Sequence, residues 1–208
     1  AQSLGIPRTR DFNGPPGEGV GIYQISTRDG LRESSATAFL RPALERRNLK
    51  VEQHAHATRI LTRGVRATGV EYLWRGVRVQ AHARREVIVC AGAINTPLLL
   101  QLSGIGDARL LASLGIESVV DVPAVGDGLQ DHLHITHVYQ ARVPTLNDAL
   151  HPWHRKLAAG LRYLVRRDGP LSMSVNQAGG FVRSGGAMLQ HPNLQLYFNP
   201  ATYTTQTD

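Results

Sequence analysis

Apolar positions change their spacing several times along this chain, and each change predicts a different element. From Leu49 to Ala83 three runs alternate apolar and polar residues: Leu49–Leu61, Ala67–Leu73 and Val77–Ala83. Arg63-Gly64 and Arg75-Gly76 punctuate them, which predicts an antiparallel meander of three strands. Glu86-Val-Ile-Val-Cys-Ala91 is then continuously apolar, as expected of a strand covered on both faces. Thr96-Pro97 reads as a helix N-cap followed by proline at the first helical position, with Leu98–Leu102 continuing and Gly104 stopping the helix. A second helix, Ala108–Leu114, ends at Gly115, and Val119–Val122 returns as a strand. Strand, helix, helix and strand in that order imply a partly parallel sheet.

The flanks have a different texture. A Gly/Pro-rich loop, Asn13–Gly21, leads into a short strand at Ile22–Ile25, and Ser34–Arg46 reads as a helix that Pro42 divides into two pieces. Beyond Asp131 the pattern predicts a strand at His134–Ala141 and an amphipathic helix at Trp153–Arg167 ended by Gly169-Pro170. Two more strands follow at Gly179–Val182 and Leu194–Phe198, separated by Ser184–Gly186. The fold class is mixed α/β, with a boundary near His132 and no internal repeat.

Composition narrows the function classes. With 208 residues and 42% apolar content the chain can bury a core. Its one cysteine, Cys90, excludes an internal disulfide and a cysteine-based zinc cage, and reads as a small core residue. The formal charge of +7 comes almost wholly from arginine, Lys50 and Lys156 being the only lysines. The arginines are scattered from Arg8 to Arg183, without the basic strand or recognition helix that nucleic-acid binding requires. The 20 residues between Glu86 and Asp107 carry no charge, enough to span a bilayer. Gly92, Asn95-Thr96-Pro97, Gln101 and Ser103-Gly104 interrupt them, so a buried strand, a turn and a short helix are expected instead.

Candidate chemistry is sparse. A buried strand passing through Ala91-Gly92-Ala93 into a helix N-terminus suits a phosphate, and is equally the ordinary strand-to-helix turn of an α/β domain. Asp131 and His132, as strand neighbours, point to opposite faces and do not form a catalytic pair. His132 and His134 would share a face, with His137 nearby, yet no third ligand completes a metal set.

The run Ala91-Gly-Ala-Ile-Asn-Thr-Pro-Leu-Leu-Leu-Gln-Leu-Ser-Gly-Ile-Gly106 resembles a signature of the glucose-methanol-choline (GMC) flavoprotein oxidoreductases. Around it, in the order that family shows, lie Arg32-Glu-Ser-Ser35, Phe39-Leu-Arg-Pro42, Asn48-Leu-Lys-Val51, Gly69-Val-Glu-Tyr72, Arg85-Glu-Val-Ile88 and Val125-Gly-Asp-Gly-Leu-Gln-Asp-His132. The resemblance implies part of an FAD-binding Rossmann-like domain with a β-meander (residues 26–132). It also implies part of an antiparallel-sheet substrate domain (residues 1–25 and 133–208). It implies FAD as cofactor and oxidation of a primary alcohol to an aldehyde, with Ala57, Ala91, Gly92, Ala93, Asp131 and His132 toward the cofactor. His134, Asn176 and Gln177 fall toward the substrate pocket.

The resemblance also places the family's Gly-rich diphosphate loop upstream of Ala1 and its catalytic histidine beyond Asp208, so no catalytic residue is expected within these residues. Choline-oxidising members carry a glutamate two positions after the Asp-His pair, where His134 stands here. The run Asp168-Gly-Pro-Leu-Ser-Met-Ser-Val-Asn-Gln-Ala-Gly-Gly180 resembles members acting on uncharged primary alcohols. An uncharged alcohol is the expected substrate, with choline and a non-catalytic Arg-rich binding module as alternatives. A quinone or cytochrome is the expected electron acceptor. The expected location is the cytoplasm, with association at the inner face of the membrane and oligomeric state left open.

Overall fold

The computed structural model describes residues 1–14, 17–185 and 189–201; Pro15 and Pro16 of the opening loop and Gly186 of the Ser184–Gly186 turn fall outside them. The first elements are β1 (Gly19–Ile22), β2 (Thr27–Arg28), β3 (Leu31–Arg32), α1 (Arg41–Ala43), β4 (Ala55–Arg63), β5 (Arg66–Trp74) and β6 (Val77–His82). Next come α2 (Gly92–Leu102), β7 (Ile105–Gly106), α3 (Ala108–Ser113) and β8 (Val120–Asp121). The last are α4 (Leu146–Leu150), α5 (Trp153–Arg166), β9 (Ala178–Val182) and β10 (Leu194–Phe198). No helix is long and apolar enough to cross a membrane among the described residues.

The chain divides into two compact units, one formed by Asn48–Ile135 and the other by Ala1–Arg47 with Thr136–Asp208. The expected meander is the sheet of the first unit, ordered β4-β5-β6 and antiparallel throughout. Its second hairpin turns on Arg75 and Gly76 alone, with φ of 51° and 80°, the double positive pair that matches the twist of a two-residue turn. Thr58 is an extra residue in β4, a bulge, and its hydroxyl donates to the Glu71 carbonyl at 3.2 Å. Gly69 in the central strand lies so close to β6 that a Cβ there would strike the Ala81 carbonyl oxygen.

Ser103 joins this sheet to α2. Its hydroxyl, fully buried, accepts the Ile60 backbone N–H at 2.8 Å and donates to the Leu99 carbonyl at 2.6 Å. Ile60 belongs to the edge strand, where an unpaired buried N–H would otherwise be left. Gly104, with φ of 82°, then ends the helix in the left-handed conformation and accepts the Val119 N–H at 2.7 Å. The expected strand near Val119–Val122 appears as β8, paired in parallel with β7. Asp107 caps α3 by accepting from the N–H groups of Arg109 and Leu110 at 2.8 and 2.9 Å, which sets Leu111 fully inside the unit.

Two expected strands are absent for one reason. Glu86–Ala91 forms no strand and Cys90 is exposed, because no described strand lies beside that run to supply ladder partners or cover its faces. His134–Ala141 likewise has no regular structure, so His132 and His134 share no strand face. Helix α2 also begins earlier than expected, at Gly92 rather than at Thr96-Pro97; Pro97 is its sixth residue. Only the Ala93 carbonyl loses its donor there, a small cost so near the start of a helix.

In the second unit β9 is the middle strand, with β1 and β10 antiparallel on either side. Gly179 and Gly180 allow the close pairing, since a Cβ on the first would strike the Leu196 carbonyl and the Tyr23 hydroxyl. Phe12 packs its ring 5.1 Å from Tyr23 and 5.7 Å from Phe181, centre to centre. The helix expected at Ser34–Arg46 is two pieces, a π-helical turn at Ala36–Leu40 running into α1 at Pro42. Helix α5 is tied down by the Tyr163 hydroxyl, which donates to the Gly30 carbonyl at 3.0 Å. The Arg162 guanidinium forks onto Asp168 at 2.6 and 3.2 Å just past the end of α5, and holds that carboxyl below its ordinary range.

Replacing Ser103 with alanine leaves the Ile60 N–H buried without a partner and should lower stability by about 1–3 kcal/mol, read from chemical denaturation. Gly69→Ala should destabilise the unit by driving β5 from β6, seen as faster hydrogen exchange of both strands; unchanged exchange would contradict the close approach. Asp168 titrates below its unfolded value, so the fork is intact above the usual carboxylate range and opens as pH falls through the lowered value. An NMR titration of Asp168 should therefore move back toward the ordinary range in Arg162→Gln.

Candidate functional site

The N-terminal end of α2 carries the features of a binding site. Gly92 has φ of 86°, a conformation that a side chain resists, and it carries the chain from the irregular run 86–91 into the helix. No side chain caps that end and no acidic residue occupies its first turn. The backbone N–H groups of the first turn are therefore unpaired within the helix and lie at the positive end of its dipole. Ala91, Gly92 and Ala93 are all exposed there, and the space a Cβ of Gly92 would take is open.

A cavity of about 290 Å³ adjoins this end. One wall is α2, through Ala93, Ile94, Pro97, Leu98 and Gln101; the other is the loop bearing Gly126, Asp127 and Leu129. The donors of a helix N-terminus suit a phosphate, and the Asp127 carboxylate suits a hydroxyl, so the cavity fits a ligand that bears both. FAD, with its diphosphate and its ribose and ribityl hydroxyls, is such a ligand, and the residues present fit it.

The other residues singled out from the sequence lie as follows. Ala57 is exposed on β4 opposite Tyr72, beside the Thr58 bulge. Asp131 and His132 follow the cavity loop without regular structure, the Asp131 carboxylate accepting the His132 backbone N–H at 2.8 Å. That contact joins the carboxylate to the backbone of the next residue and not to its imidazole. His134 is exposed nearby in the chain. Asn176 and Gln177 belong to the other compact unit and are half-buried just before β9. Gln177 accepts the Tyr23 N–H through its carbonyl at 3.0 Å and donates its own N–H to Phe198 at 3.3 Å, so it sits at the end of the three-stranded sheet. An apolar cleft of about 440 Å³ runs along that sheet, lined by Val20, Ile22, Leu196, Tyr197 and Phe198 among others. No group of three histidine, cysteine or carboxylate side chains among the described residues could hold a metal ion.

Gln101, Gly126 and Asp127 were not singled out from the sequence, although they stand inside the runs 91–106 and 125–132. Their shared cavity depends on a contact between segments 24 positions apart, which no local pattern encodes.

Comparison with known proteins gives the family. Residues 1–134 match the family model of the GMC oxidoreductases. The chain is 44% identical to human mitochondrial choline dehydrogenase, over 96% of this chain and 34% of that protein. It is 43% identical to the oxygen-dependent choline dehydrogenase of Burkholderia thailandensis, over 94% of this chain and 35% of the relative. The chain thus spans about a third of the length of these curated relatives. Among solved structures, an FAD-dependent oxidoreductase from Chaetomium thermophilum superposes with a TM-score of 0.77 at 27% identity, over 88% of this chain and 33% of that one. A fungal aryl-alcohol oxidase gives 0.75 at 26% identity, over 87% and 32%. With the match covering well over half of its residues, the chain belongs to the GMC oxidoreductase family.

Proposed function

We propose that this chain is part of an FAD-dependent enzyme that oxidises a primary alcohol to an aldehyde. What carries the reading is the Ala91-Gly92-Ala93 turn into α2, with its unpaired N–H groups and adjoining cavity, inside the stretch that matches the family. When bound, FAD supplies the hydride acceptor at flavin N5 for the substrate carbinol carbon. The residues of this chain bind and orient. The first-turn amides of α2 hold the diphosphate, and Asp127 accepts a hydroxyl of the cofactor. Ala57 presents backbone toward the adenine end, and Asp131 and His132 close the cofactor side. His134, Asn176 and Gln177 stand toward the alcohol. On this reading residues 26–132 serve the cofactor, and residues 1–25 and 133–208 serve the substrate. A quinone or cytochrome takes the electrons. No proton acceptor for the alcohol hydroxyl is assigned among these residues.

The substrate class follows from charge. A quaternary ammonium ion is held by a carboxylate or an aromatic cage, and His134 offers neither a negative charge nor a cage. An uncharged alcohol fits His134 better. A second reading, choline oxidation, is supported by the names of the 43–44% identical relatives.

The complete protein should show a flavin absorbance spectrum that survives gel filtration, and Gly92→Val should reduce the flavin retained. Steady-state comparison on choline and on medium-chain primary alcohols should give the higher kcat/KM for the uncharged alcohol. His134→Glu should raise kcat/KM for choline by roughly tenfold, the scale of one favourable charge contact. A wild-type preference for choline would overturn the substrate reading, and a protein free of flavin would overturn the cofactor.

A further inference from the structure

The cavity beside α2 has two walls, and a single side chain holds them together. Gln101, half-buried near the end of α2, donates its amide Nε2 hydrogen to the Val125 carbonyl at 3.0 Å. Among the described residues this is the only hydrogen bond between α2 and the loop that forms the opposite wall. Within the loop the Val125 N–H donates to the Val122 carbonyl at 3.1 Å and the Asp127 N–H to the Ala124 carbonyl at 3.2 Å; at its base the Val122 N–H donates to the Gly106 carbonyl at 2.9 Å. These bonds shape the turn and anchor its base, and none of them reaches α2.

The residue after the bonded carbonyl is fitted to the same amide. Gly126 has φ of 92°, and a Cβ there would come within 2.9 Å of the Gln101 Nε2. Glycine at 126 thus lets the turn close onto the glutamine, and the glutamine fixes where it closes. Immediately downstream come Asp127 and Leu129, which line the cavity, and then Asp131 and His132. A loop tied by few contacts opens readily, and a binding wall left free to move must be ordered at the ligand's expense.

We propose that Gln101 is a positioning residue for the cofactor. Its amide clasps the Val125–Leu129 loop to α2, sets the width of the cavity, and fixes Asp127 at its edge before the ligand arrives. Gln101 does no chemistry; it acts through the loop. This inference rests on the FAD reading of the cavity.

Three variants of the complete protein test it. Gln101→Met keeps the length and volume of the side chain and removes the donor. Gly126→Ala drives a methyl group into the amide. Gly115→Ala is the control for backbone strain, because Gly115 has φ of 71° but open space around its Cβ. Gln101→Met should weaken FAD binding about five- to tenfold, the measure of one lost hydrogen bond, in a flavin-fluorescence titration of the cofactor-free protein. It should also speed hydrogen exchange of the amides from Val125 to Leu129, while its thermal midpoint falls no further than that of Gly115→Ala. Gly126→Ala should reproduce the weaker binding and the faster exchange; Gly115→Ala should do neither. Gln101→Met binding FAD as tightly as the unsubstituted protein would overturn the clasp. Failure of the unsubstituted protein to bind FAD would instead overturn the cofactor reading on which the clasp rests.

Discussion

The unit built from Asn48–Ile135 depends on one buried hydroxyl. Ser103 sits where helix α2 ends and meets the edge of the meander, and it satisfies a backbone donor on the sheet and a backbone acceptor on the helix at once. An edge strand and a helix terminus each leave polar groups that burial makes costly, and here each answers the other. From that junction the rest follows in order. Gly104 turns the chain, β7 and β8 pair in parallel, Asp107 starts α3, and Leu111 closes the small core with Ile60 and Leu99.

That core is thin. Ile60, Leu99 and Leu111 are the buried apolar side chains among the described residues, while Ile88, Ile94 and Leu133 are 75%, 71% and 92% exposed. Order in this unit therefore rests heavily on directional bonds and on turns whose glycines admit close approaches. The site has the same character. Its donors are backbone N–H groups, which every sequence possesses, and what makes them a site is that Gly92 leaves them uncovered while Gly126 and Gln101 hold a second wall nearby. Such a site binds by shape and dipole, which suits a cofactor that carries its own reactivity.

The sheet of the other unit obeys a related constraint. Gly179 and Gly180 give up side chains so that β1 and β10 can pair closely with β9, and Phe12, Tyr23, Phe181 and Tyr197 supply the apolar contact on a neighbouring face. Gln177 ends that sheet through main-chain bonds. Its presence at a strand end is a matter of register, and its side-chain amide donates to the Met173 sulfur at 3.9 Å.

Local pattern alone determined the elements whose bonds are local. The meander, with its Arg75-Gly76 turn, was legible because alternation and a turn that needs positive φ are written in adjacent residues. Helices α3 and α5 were legible from their apolar spacing and from the glycine and proline that stop them. The ordered series of short runs from Arg32 to His132 also made the family legible. Tertiary structure decided the rest. Glu86–Ala91 reads as a strand, yet a strand exists only where a neighbour offers hydrogen bonds, and none does so here. Thr96-Pro97 reads as a helix start, yet the helix begins at Gly92, because a left-handed glycine can open a helix and a proline in its second turn costs little. The partnership of Gln101 with Gly126, and of Ser103 with Ile60, joins residues far apart in sequence. Their identities are printed in the chain, but their meaning appears only when folding brings a donor within 3.0 Å of an acceptor that nothing else satisfies.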